Sequence, residues 1–247
     1  HICKRLCESG LGGADIWIGE NLSYDNEKIL SGHVSEYAEY TAEGLTVMAV
    51  HNHYPQAAVM TGLPDESFIR ADIPMTKREI RASVVRRLSP AKDAIVYDIG
   101  ATGSVSVELA MHALYGTVYA VERTKEGCEL IAQNARKFGL DNIDIINASA
   151  ADVIEKLPAA DSVFIGGSGG ELEKIMDIVL KKNPGVHIVI TAVTLETLND
   201  SVRLMEDKKV DVIDIVQIAV TQIKKRGRYH MLAANNPVFI IEGRGNR

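Results

Sequence analysis

Cysteine is scarce in this sequence, and its count argues against a disulfide framework and a metal site. The chain of 247 residues contains 3 cysteines: Cys3, Cys7 and Cys128. An odd count argues against a disulfide framework. Cys3 and Cys7 share one face of a predicted helix, but no second cysteine pair follows to complete a metal shell. We therefore interpret this pair as structural and Cys128 as a buried helix residue, and we expect no metal site.

Long apolar runs and an excess of positive charge are missing as well. No run approaches the roughly 18 apolar residues that a membrane helix needs, and no basic segment followed by an apolar one marks a secretory signal. Lys and Arg total 27 against 33 Asp and Glu, a net charge of −6, whereas nucleic acid binding relies on cationic contacts to phosphates. We expect a cytoplasmic protein with neither a membrane nor a nucleic acid partner.

The first fifty or so residues differ in pattern from the rest. They predict a helix over Ile2–Glu8 and strands over Ala14–Gly19 and Leu45–Val50, too little for an independent core. Residues 52–74 contain three prolines and little periodicity, which favours a linker. We therefore predict a first segment over 1–51 and a main domain over 75–247. Because the chain begins with His1 rather than Met, we expect it to be part of a longer protein.

From Met75 onward, predicted strands and helices alternate. The strands are Ala94–Tyr97, Thr117–Val121, Ile143–Ile146, Ser162–Ile165, His187–Thr191, Val210–Ala219 and Pro237–Glu242. The helices are Thr76–Leu88, Ser104–Leu114, Lys125–Phe138, Ala151–Leu157, Leu172–Lys182 and Leu195–Lys208. This alternation predicts an α/β fold with a seven-stranded, doubly wound, mostly parallel sheet of Rossmann-like type. No convincing helix separates the last two strands, so we expect them to form a terminal antiparallel pair.

Two of the predicted strand ends favour a nucleoside ligand. The first strand is followed by Gly100 and Gly103 at the start of a helix, where the backbone can approach a ligand and the helix N-terminus attracts an anionic group. Glu122 directly follows the next strand, where a carboxylate can accept both ribose hydroxyls of an adenosine. Each signal alone also fits a tight turn or a surface acid. Together they predict a cofactor that contains adenosine.

The next two strand ends carry small residues. Residues 147–150 leave room for an adenine ring near Ala150, or Ser149 simply caps the following helix. Residues 166–170 contain four glycines in five positions, which is costly in conformational entropy. The backbone N–H groups of this loop can form an anion-binding concavity that faces the substrate. The alternative is a flexible linker.

Several stretches resemble one enzyme family. Residues 63–242 resemble the CbiT-type decarboxylating C15-methyltransferases of cobalamin biosynthesis. The stretches that carry the resemblance are 62–69, 74–81, 98–108, 164–171, 191–197 and 236–238. The resemblance implies a class I methyltransferase fold dependent on S-adenosylmethionine (SAM), and a homotetramer.

The resemblance also implies which residues bind SAM. They are Thr76, Gly100, Ala101, Thr102, Gly103, Glu122 and Ala150. From the sequence alone, Thr76 reads first as the N-cap of a helix. The family pattern is Gly-x-Gly-Thr-Gly, whereas this chain reads Gly100-Ala101-Thr102-Gly103, one residue shorter. If the helix absorbed the loss, its apolar face would turn by about 100°, so we expect the turn to tighten instead.

The implied substrate is a polycarboxylate tetrapyrrole that is methylated at C15 and loses CO2 from its C12 acetate. We expect substrate contacts from Gly167, Ser168, Glu171, Glu196 and Arg228. Arg228 ends the basic run 224–228, which either clamps the ring carboxylates or is a solvated loop between the last two strands. Glu108, Glu171 and Glu196 neighbour the predicted cleft, but no catalytic acid or base is assigned.

Residues 1–51 resemble a different family. Residues 19–24, Gly-Glu-Asn-Leu-Ser-Tyr, resemble the C-terminal end of the CbiE-type C5-methyltransferases. In some organisms the two enzymes are fused as precorrin-6Y C5,15-methyltransferase. The first segment is therefore interpreted as a remnant of the C5 enzyme, without C5 activity.

Three other functions remain open at the level of sequence. A tRNA adenine methyltransferase shares the sheet and the glycine turn, but the net charge of −6 argues against it. A nicotinamide-dependent oxidoreductase would need the third glycine of Gly-x-Gly-x-x-Gly, which is missing here. The shortened turn also fits a non-catalytic partner subunit that has lost SAM binding.

Overall fold

The computed structural model describes residues 1–8, 11–52 and 61–246, and the chain divides into two compact units. The first comprises residues 1–58 with 136–139, and the second comprises 59–135 with 140–247. Residues 61–74 of the predicted linker belong to the second unit, while residues 53–60 of that linker lie outside the described part. The division of function between 1–51 and 75–247 stays a prediction.

The first unit is a small antiparallel sheet with one helix. It contains α1 (Ile2–Glu8), β1 (Asp15–Glu20), β2 (Lys28–His33) and β3 (Thr46–His51), with strand order β2-β1-β3. The sequence predicted two of these strands and missed β2, because its side chains are exposed or half-buried and show no apolar alternation. One face of β1 buries Ile16 and Ile18 in a cluster that includes Cys3.

The second unit contains the remaining elements. The helices are α2 (Arg78–Leu88), α3 (Ser104–His112), α4 (Lys125–Lys137), α5 (Ala150–Val153), α6 (Leu172–Lys182) and α7 (Leu195–Asp207). The strands are β4 (Ile95–Ile99), β5 (Thr117–Glu122), β6 (Ile143–Asn147), β7 (Ser162–Ile165), β8 (His187–Ala192), β9 (Val210–Ile218), β10 (Thr221–Arg226), β11 (Tyr229–Ala234) and β12 (Val238–Gly245). The predicted helix over 151–157 is shorter and continues as a 3-10 turn over Ile154–Lys156.

Seven of these strands form the predicted doubly wound sheet. Their order is β6-β5-β4-β7-β8-β12-β9. The first five are parallel, and β12 runs antiparallel to both of its neighbours, β8 and β9. The α/β, Rossmann-like fold and the antiparallel terminal pair are therefore confirmed. The winding direction changes between β4 and β7, and ligands of such sheets bind at this switch point beyond the carboxyl ends of the strands.

The central strands explain why the sheet forms. Every residue of β7 is buried, as is typical of a parallel strand covered by helices on both faces. Apolar clusters lie on both faces, one around Tyr97 and Ile99 and the other around Val96 and Phe164. The core therefore holds the carboxyl ends of β4 and β7 rigidly beside each other. No helix among residues 1–8, 11–52 and 61–246 is long and apolar enough to cross a membrane.

The segment between β9 and β12 departs from the sequence expectation. One interpretation of residues 224–228 was a solvated loop, but β10 and β11 form an antiparallel hairpin with a turn at Gly227, where φ is 59°. The sequence did not predict β10, because every side chain of this strand is exposed and its last three residues are cationic. The hairpin is a separate two-stranded sheet.

Candidate functional site

The glycine turn after β4 leads directly into α3. Gly100 and Gly103 have φ of 73° and 95°, a region that other residues rarely adopt. The N–H groups of Gly100 and Ala101 both donate to the carbonyl of Val121, at 3.0 and 3.2 Å. The helix begins at Ser104, so the short turn runs from strand to helix without extra residues. These bonds hold the turn against the end of β5.

A second glycine turn follows β7 and touches the first. The N–H groups of Gly166 and Gly167 lie 2.9 and 3.3 Å from the carbonyl of Ile99. A Cβ atom on Gly100 would lie 2.6 Å from the carbonyl oxygen of Gly167 and 2.8 Å from its nitrogen. The close approach therefore requires glycine at position 100. The two turns meet at the switch point of the sheet, as the strand order demands.

A cleft of about 250 Å³ opens beside these turns; we call it the smaller cleft. It is bounded by the ends of β4, β5, β6 and β7. Five of the residues predicted from sequence line it: Gly100, Glu122, Ala150, Gly167 and Ser168. These residues are far apart in the sequence and come together because the carboxyl ends of parallel strands meet at one edge of a sheet.

The carboxylate of Glu122 is held in a fixed orientation. Both the N–H and the hydroxyl of Thr124 donate to Glu122 Oε1, at 2.7 and 2.6 Å. A Cβ atom on Gly127 would lie 2.6 Å from Glu122 Cγ, so glycine there leaves space for the side chain. Among the hydrogen bonds of the described residues, none reaches Oε2. That oxygen remains available to a ligand with hydroxyl groups.

A second cleft of about 390 Å³ adjoins the first; we call it the larger cleft. Gly100 lines both clefts, and Gly166 and Gly167 lie on either side of their boundary. Two further residues predicted to bind the cofactor, Thr76 and Thr102, line the larger cleft rather than the smaller one. A ligand that passes Gly100 would therefore contact both sets of residues.

The other predicted residues line neither cleft. Ala101 and Gly103 are buried supports of the glycine turn. Glu171 stands at the N-cap position of α6 without a capping hydrogen bond from its side chain, and its Oε2 accepts a hydrogen bond from Ser149 Oγ. Glu196 is exposed in the first turn of α7. Arg228 lies at the tip of the hairpin, where its guanidinium sits 5.0 Å from the ring centroid of Tyr229 and Nη2 donates to that hydroxyl at 2.7 Å.

The structure adds two cationic residues that the sequence analysis did not select. Lys77 lines the larger cleft and Arg123 lines the smaller one. The Arg123 guanidinium occupies the position that a side chain on Gly169 would take. The available signal was adjacency, because Lys77 follows Thr76 and Arg123 follows Glu122. Surface cations are common, however, and neither position stands out in the sequence.

Asp98, the residue before Ile99 at the end of β4, is a buried acid close to the glycine turn. Burial raises its pKa to about 7, against the opposing effect of hydrogen bonds from Ser106. The hydroxyl of Ser106 donates to Oδ2, while Oδ1 has no hydrogen-bond partner among the described residues. The group lines neither cleft. Its bond to Ser106 instead links the end of β4 to α3, the two elements that the glycine turn joins.

The described residues were also compared with the requirements of a metal site. Among them, no group of three or more His, Cys, Asp or Glu side chains is placed to hold a metal ion.

Comparisons with known proteins agree on one family. Residues 67–243 match the family model described as a precorrin methyltransferase domain. A protein of Pyrobaculum calidifontis named "probable cobalt-precorrin-6B C(15)-methyltransferase (decarboxylating)" is 39% identical over 184 residues, which cover 73% of this chain and 94% of that one. The Salmonella typhimurium protein named cobalt-precorrin-6B C(15)-methyltransferase (decarboxylating) is 34% identical, with 72% and 94% covered.

A solved structure supports the same assignment. The crystal structure of a precorrin-6Y C5,15-methyltransferase from Geobacter metallireducens superposes with a TM-score of 0.71 at 36% identity, covering 77% of this chain and 100% of that one. The fold is that of the class I SAM-dependent methyltransferases. On the family match, the identities and the shared fold, this chain belongs to the precorrin methyltransferase domain family.

Proposed function

We propose that this protein is a SAM-dependent methyltransferase of cobalamin biosynthesis that methylates C15 of a precorrin-6-type tetrapyrrole and removes CO2 from its C12 acetate. The observation that carries the proposal is the junction at Gly100, where the smaller and larger clefts meet. The relatives at 39% and 34% identity are named for this reaction. They do not favour the alternative of a tRNA adenine methyltransferase.

The residues of the smaller cleft fit the nucleoside half of SAM. Glu122 Oε2 is available to ribose hydroxyls, and Ala150 presents a small side chain where an adenine ring needs space. The absence of a Cβ at Gly100 lets the backbone of Gly167 approach it closely, so that the two turns together border the cleft. Thr76 and Thr102 would contact the part of the ligand that extends into the larger cleft. When bound, SAM supplies an electrophilic methyl group on a sulfonium centre.

The role of the protein in methyl transfer is alignment. Direct displacement requires the reacting atoms to be held about 3–3.5 Å apart in line. The rigid junction of the two glycine turns provides a fixed reference for this geometry, because Gly100 and Gly167 are in backbone contact. The described residues that line the larger cleft include no carboxylate, imidazole or thiol. We assign no protein acid or base, because the conjugated ring can accept the electrons released by decarboxylation.

A polycarboxylate substrate needs cationic partners. Lys77 is the one ionisable side chain among the described residues that line the larger cleft. It therefore suits a substrate carboxylate better than Arg228, which lies on the exposed hairpin. Arg228 remains a proposed outer contact, since the hairpin rises from Val220 and Asn235 at the edge of the same cleft.

We propose a homotetramer, in which the hairpin and β9 contact further copies of the chain. Both elements expose large apolar side chains to solvent: Ile213, Ile223 and Leu232 are 54%, 67% and 75% exposed. Patches of this kind mark interfaces more often than free surface. Sedimentation analysis of the purified protein should give a tetramer, and a monomer would contradict the proposal.

We infer that residues 1–51 are a remnant of a C5-methyltransferase without its own activity and that the protein is cytoplasmic. The three-stranded sheet of the first unit, with its small core, is consistent with a fragment of a larger fold.

The test of the proposed function has two steps. Calorimetric titration with SAM and S-adenosylhomocysteine should show binding, and the absence of heat would favour a non-catalytic partner subunit. Mass spectrometry of precorrin-6B incubated with protein and SAM should then show the gain of one methyl group and the loss of CO2. An unchanged mass despite bound SAM would point to a different acceptor.

A further inference from the structure

Arg81, on the first half of α2, is a fully buried cation behind the larger cleft. Its side chain has 0% exposure. Its Nε donates to Glu108 Oε1 at 2.5 Å, and its Nη1 donates to Asp65 Oδ1 at 3.1 Å and to the carbonyl of Thr76 at 2.7 Å. Its Nη2 donates to the carbonyl of Leu63. The guanidinium thus uses several of its five N–H groups on groups in fixed positions.

Glu108 is the partner that links this cation to the glycine turn. It lies on α3, the helix that begins at that turn, and its side chain has 0% exposure. Its carboxylate accepts the N–H groups of Gly62 and Leu63, at 2.8 and 3.0 Å. Both oxygens are therefore occupied inside the protein. Glu108 was predicted to neighbour the cleft, but its side chain faces the interior of the protein rather than a ligand.

Residues 61–77, which we call the strap, are held by this pair at both ends. Glu108 binds the N–H groups at the beginning of the strap, and Arg81 binds the carbonyl of Thr76 at its end. In the middle, the side chain of Asn134 accepts the N–H of Ile69 at 2.8 Å and donates to its carbonyl at 3.1 Å. The end of the strap supplies Thr76 and Lys77 to the larger cleft.

Stability alone does not explain why a buried ion pair occupies this position. Buried ion pairs lose much of their Coulombic energy to desolvation, and apolar side chains of similar volume often serve a core equally well. A guanidinium, however, can bind a carboxylate and backbone carbonyls at once with fixed angles. This property is useful where geometry matters more than stability.

We propose that Arg81 is a positioning residue for the proposed methyl transfer. Through Glu108 it fixes the Thr76–Lys77 wall of the larger cleft relative to the glycine turn on which α3 begins. The inference rests on the proposed function. In this role the Arg81–Glu108 pair sets the spacing between the glycine turn and the Thr76–Lys77 wall of the larger cleft.

The experiment compares Arg81→Lys with a matched control, Arg87→Lys, on the same helix. Arg87 also forms two ion pairs, with Glu242 at 2.7 Å and Asp214 at 2.9 Å, but it lines neither cleft. Both substitutions keep the charge and lose the fork of the guanidinium. Unfolding midpoints, the dissociation constant for S-adenosylhomocysteine, and kcat and KM are measured for each, with amide hydrogen exchange of the strap.

We expect both variants to lose stability. Only Arg81→Lys should weaken the binding of S-adenosylhomocysteine and lower kcat/KM, each by about 10- to 100-fold, because a wall of the binding site is then misplaced. Only that variant should speed exchange in the strap. The inference would be overturned if Arg81→Lys bound S-adenosylhomocysteine with wild-type affinity, or if both variants lost affinity and kcat/KM equally.

A second variant covers the case in which Arg81→Lys does not fold. Glu108→Gln then replaces it, with the same expected losses and the same contradicting outcomes. A wild-type protein that binds no SAM would contradict the proposed function itself. If the wild type binds SAM and Arg81→Lys and Glu108→Gln bind it equally well, only the positioning role is contradicted.

Discussion

The smaller and larger clefts share one wall but differ in the way they can hold a ligand. The smaller cleft offers directed polar contacts, chiefly the oriented carboxylate of Glu122. The larger cleft is lined mainly by apolar, threonine and asparagine side chains, with Lys77 as the ionisable group among its described lining. We infer that the smaller cleft suits the recognition of a nucleoside by directed hydrogen bonds, whereas the larger cleft suits the placing of a substrate by shape and by one charge.

The largest effect is expected from a substitution that forces apart the two turns that join the clefts. Gly100→Ala adds a Cβ that would lie 2.6 Å from the Gly167 carbonyl, at a residue with φ of 73°. We expect a loss of more than about 2 kcal/mol in the free energy of unfolding and no detectable binding of SAM by calorimetry.

Gly170→Ala is the control for backbone strain alone. Gly170 has φ of 87°, but a Cβ there would meet nothing within 4 Å. It should lose roughly 1–2 kcal/mol and keep its affinity for SAM. Equal loss of binding in the two variants would show that the close approach of the turns is unimportant.

Removing the carboxylate of the smaller cleft should affect one ligand only. Glu122→Ala should weaken S-adenosylhomocysteine by about 10- to 100-fold, since a hydrogen bond to a charged group contributes about 1.5–3 kcal/mol. Calorimetric titration measures this loss. Glu196→Ala, at an exposed acid of α7, should bind the ligand like the wild type, and an unaffected Glu122→Ala would contradict the assignment of the ribose site.

The converse change in the larger cleft should spare the cofactor. Lys77→Gln should raise KM for the tetrapyrrole about fivefold, the effect of a partly exposed ion pair of about 1 kcal/mol, while the affinity for SAM stays unchanged. Steady-state kinetics at low and high salt measure it, because screening should reduce the difference. Lys225→Gln on the exposed hairpin serves as the control, and a larger effect there would favour the basic run as the carboxylate clamp.

The pH dependence of stability tests the environment of Asp98, the buried acid at the end of β4. Its pKa is about 7 in the folded protein against 3.8 for an ordinary aspartate. Because the folded state holds the proton more tightly, this group contributes stability at low pH that is lost as pH rises from about 4 to about 7, with a slope of up to about 1.4 kcal/mol per pH unit. Asp98→Asn should flatten that part of the profile in denaturant unfolding at several pH values. A profile unchanged by the substitution would show that Asp98 is not the group responsible.

Local signals in the sequence predicted the sheet and the glycine turn. Gly100 and Gly103 both adopt the positive φ that only glycine tolerates easily, and the alternation of strands with helices predicted the parallel sheet. Once the strand order is known, the meeting of Gly100, Glu122 and Ala150 at one edge follows from topology. Their roles in binding stay predictions.

Other features depend on contacts that the sequence does not display. Arg81 and Glu108 are 27 residues apart, and charged residues inside helices suggest a solvent face rather than a buried pair. The strand β10 is exposed throughout and so lacks the alternation that marks a half-buried strand. Lys77 lines the larger cleft because the strap ends there, and Arg123 lines the smaller cleft because its guanidinium lies against Gly169.

A crystal structure of the protein grown with S-adenosylhomocysteine would locate the cofactor relative to the two clefts. We expect the ribose hydroxyls to bind the Glu122 carboxylate and the sulfur to lie beside Gly100, facing the larger cleft. A ligand bound elsewhere, or a smaller cleft closed by the short turn in the presence of saturating ligand, would contradict it.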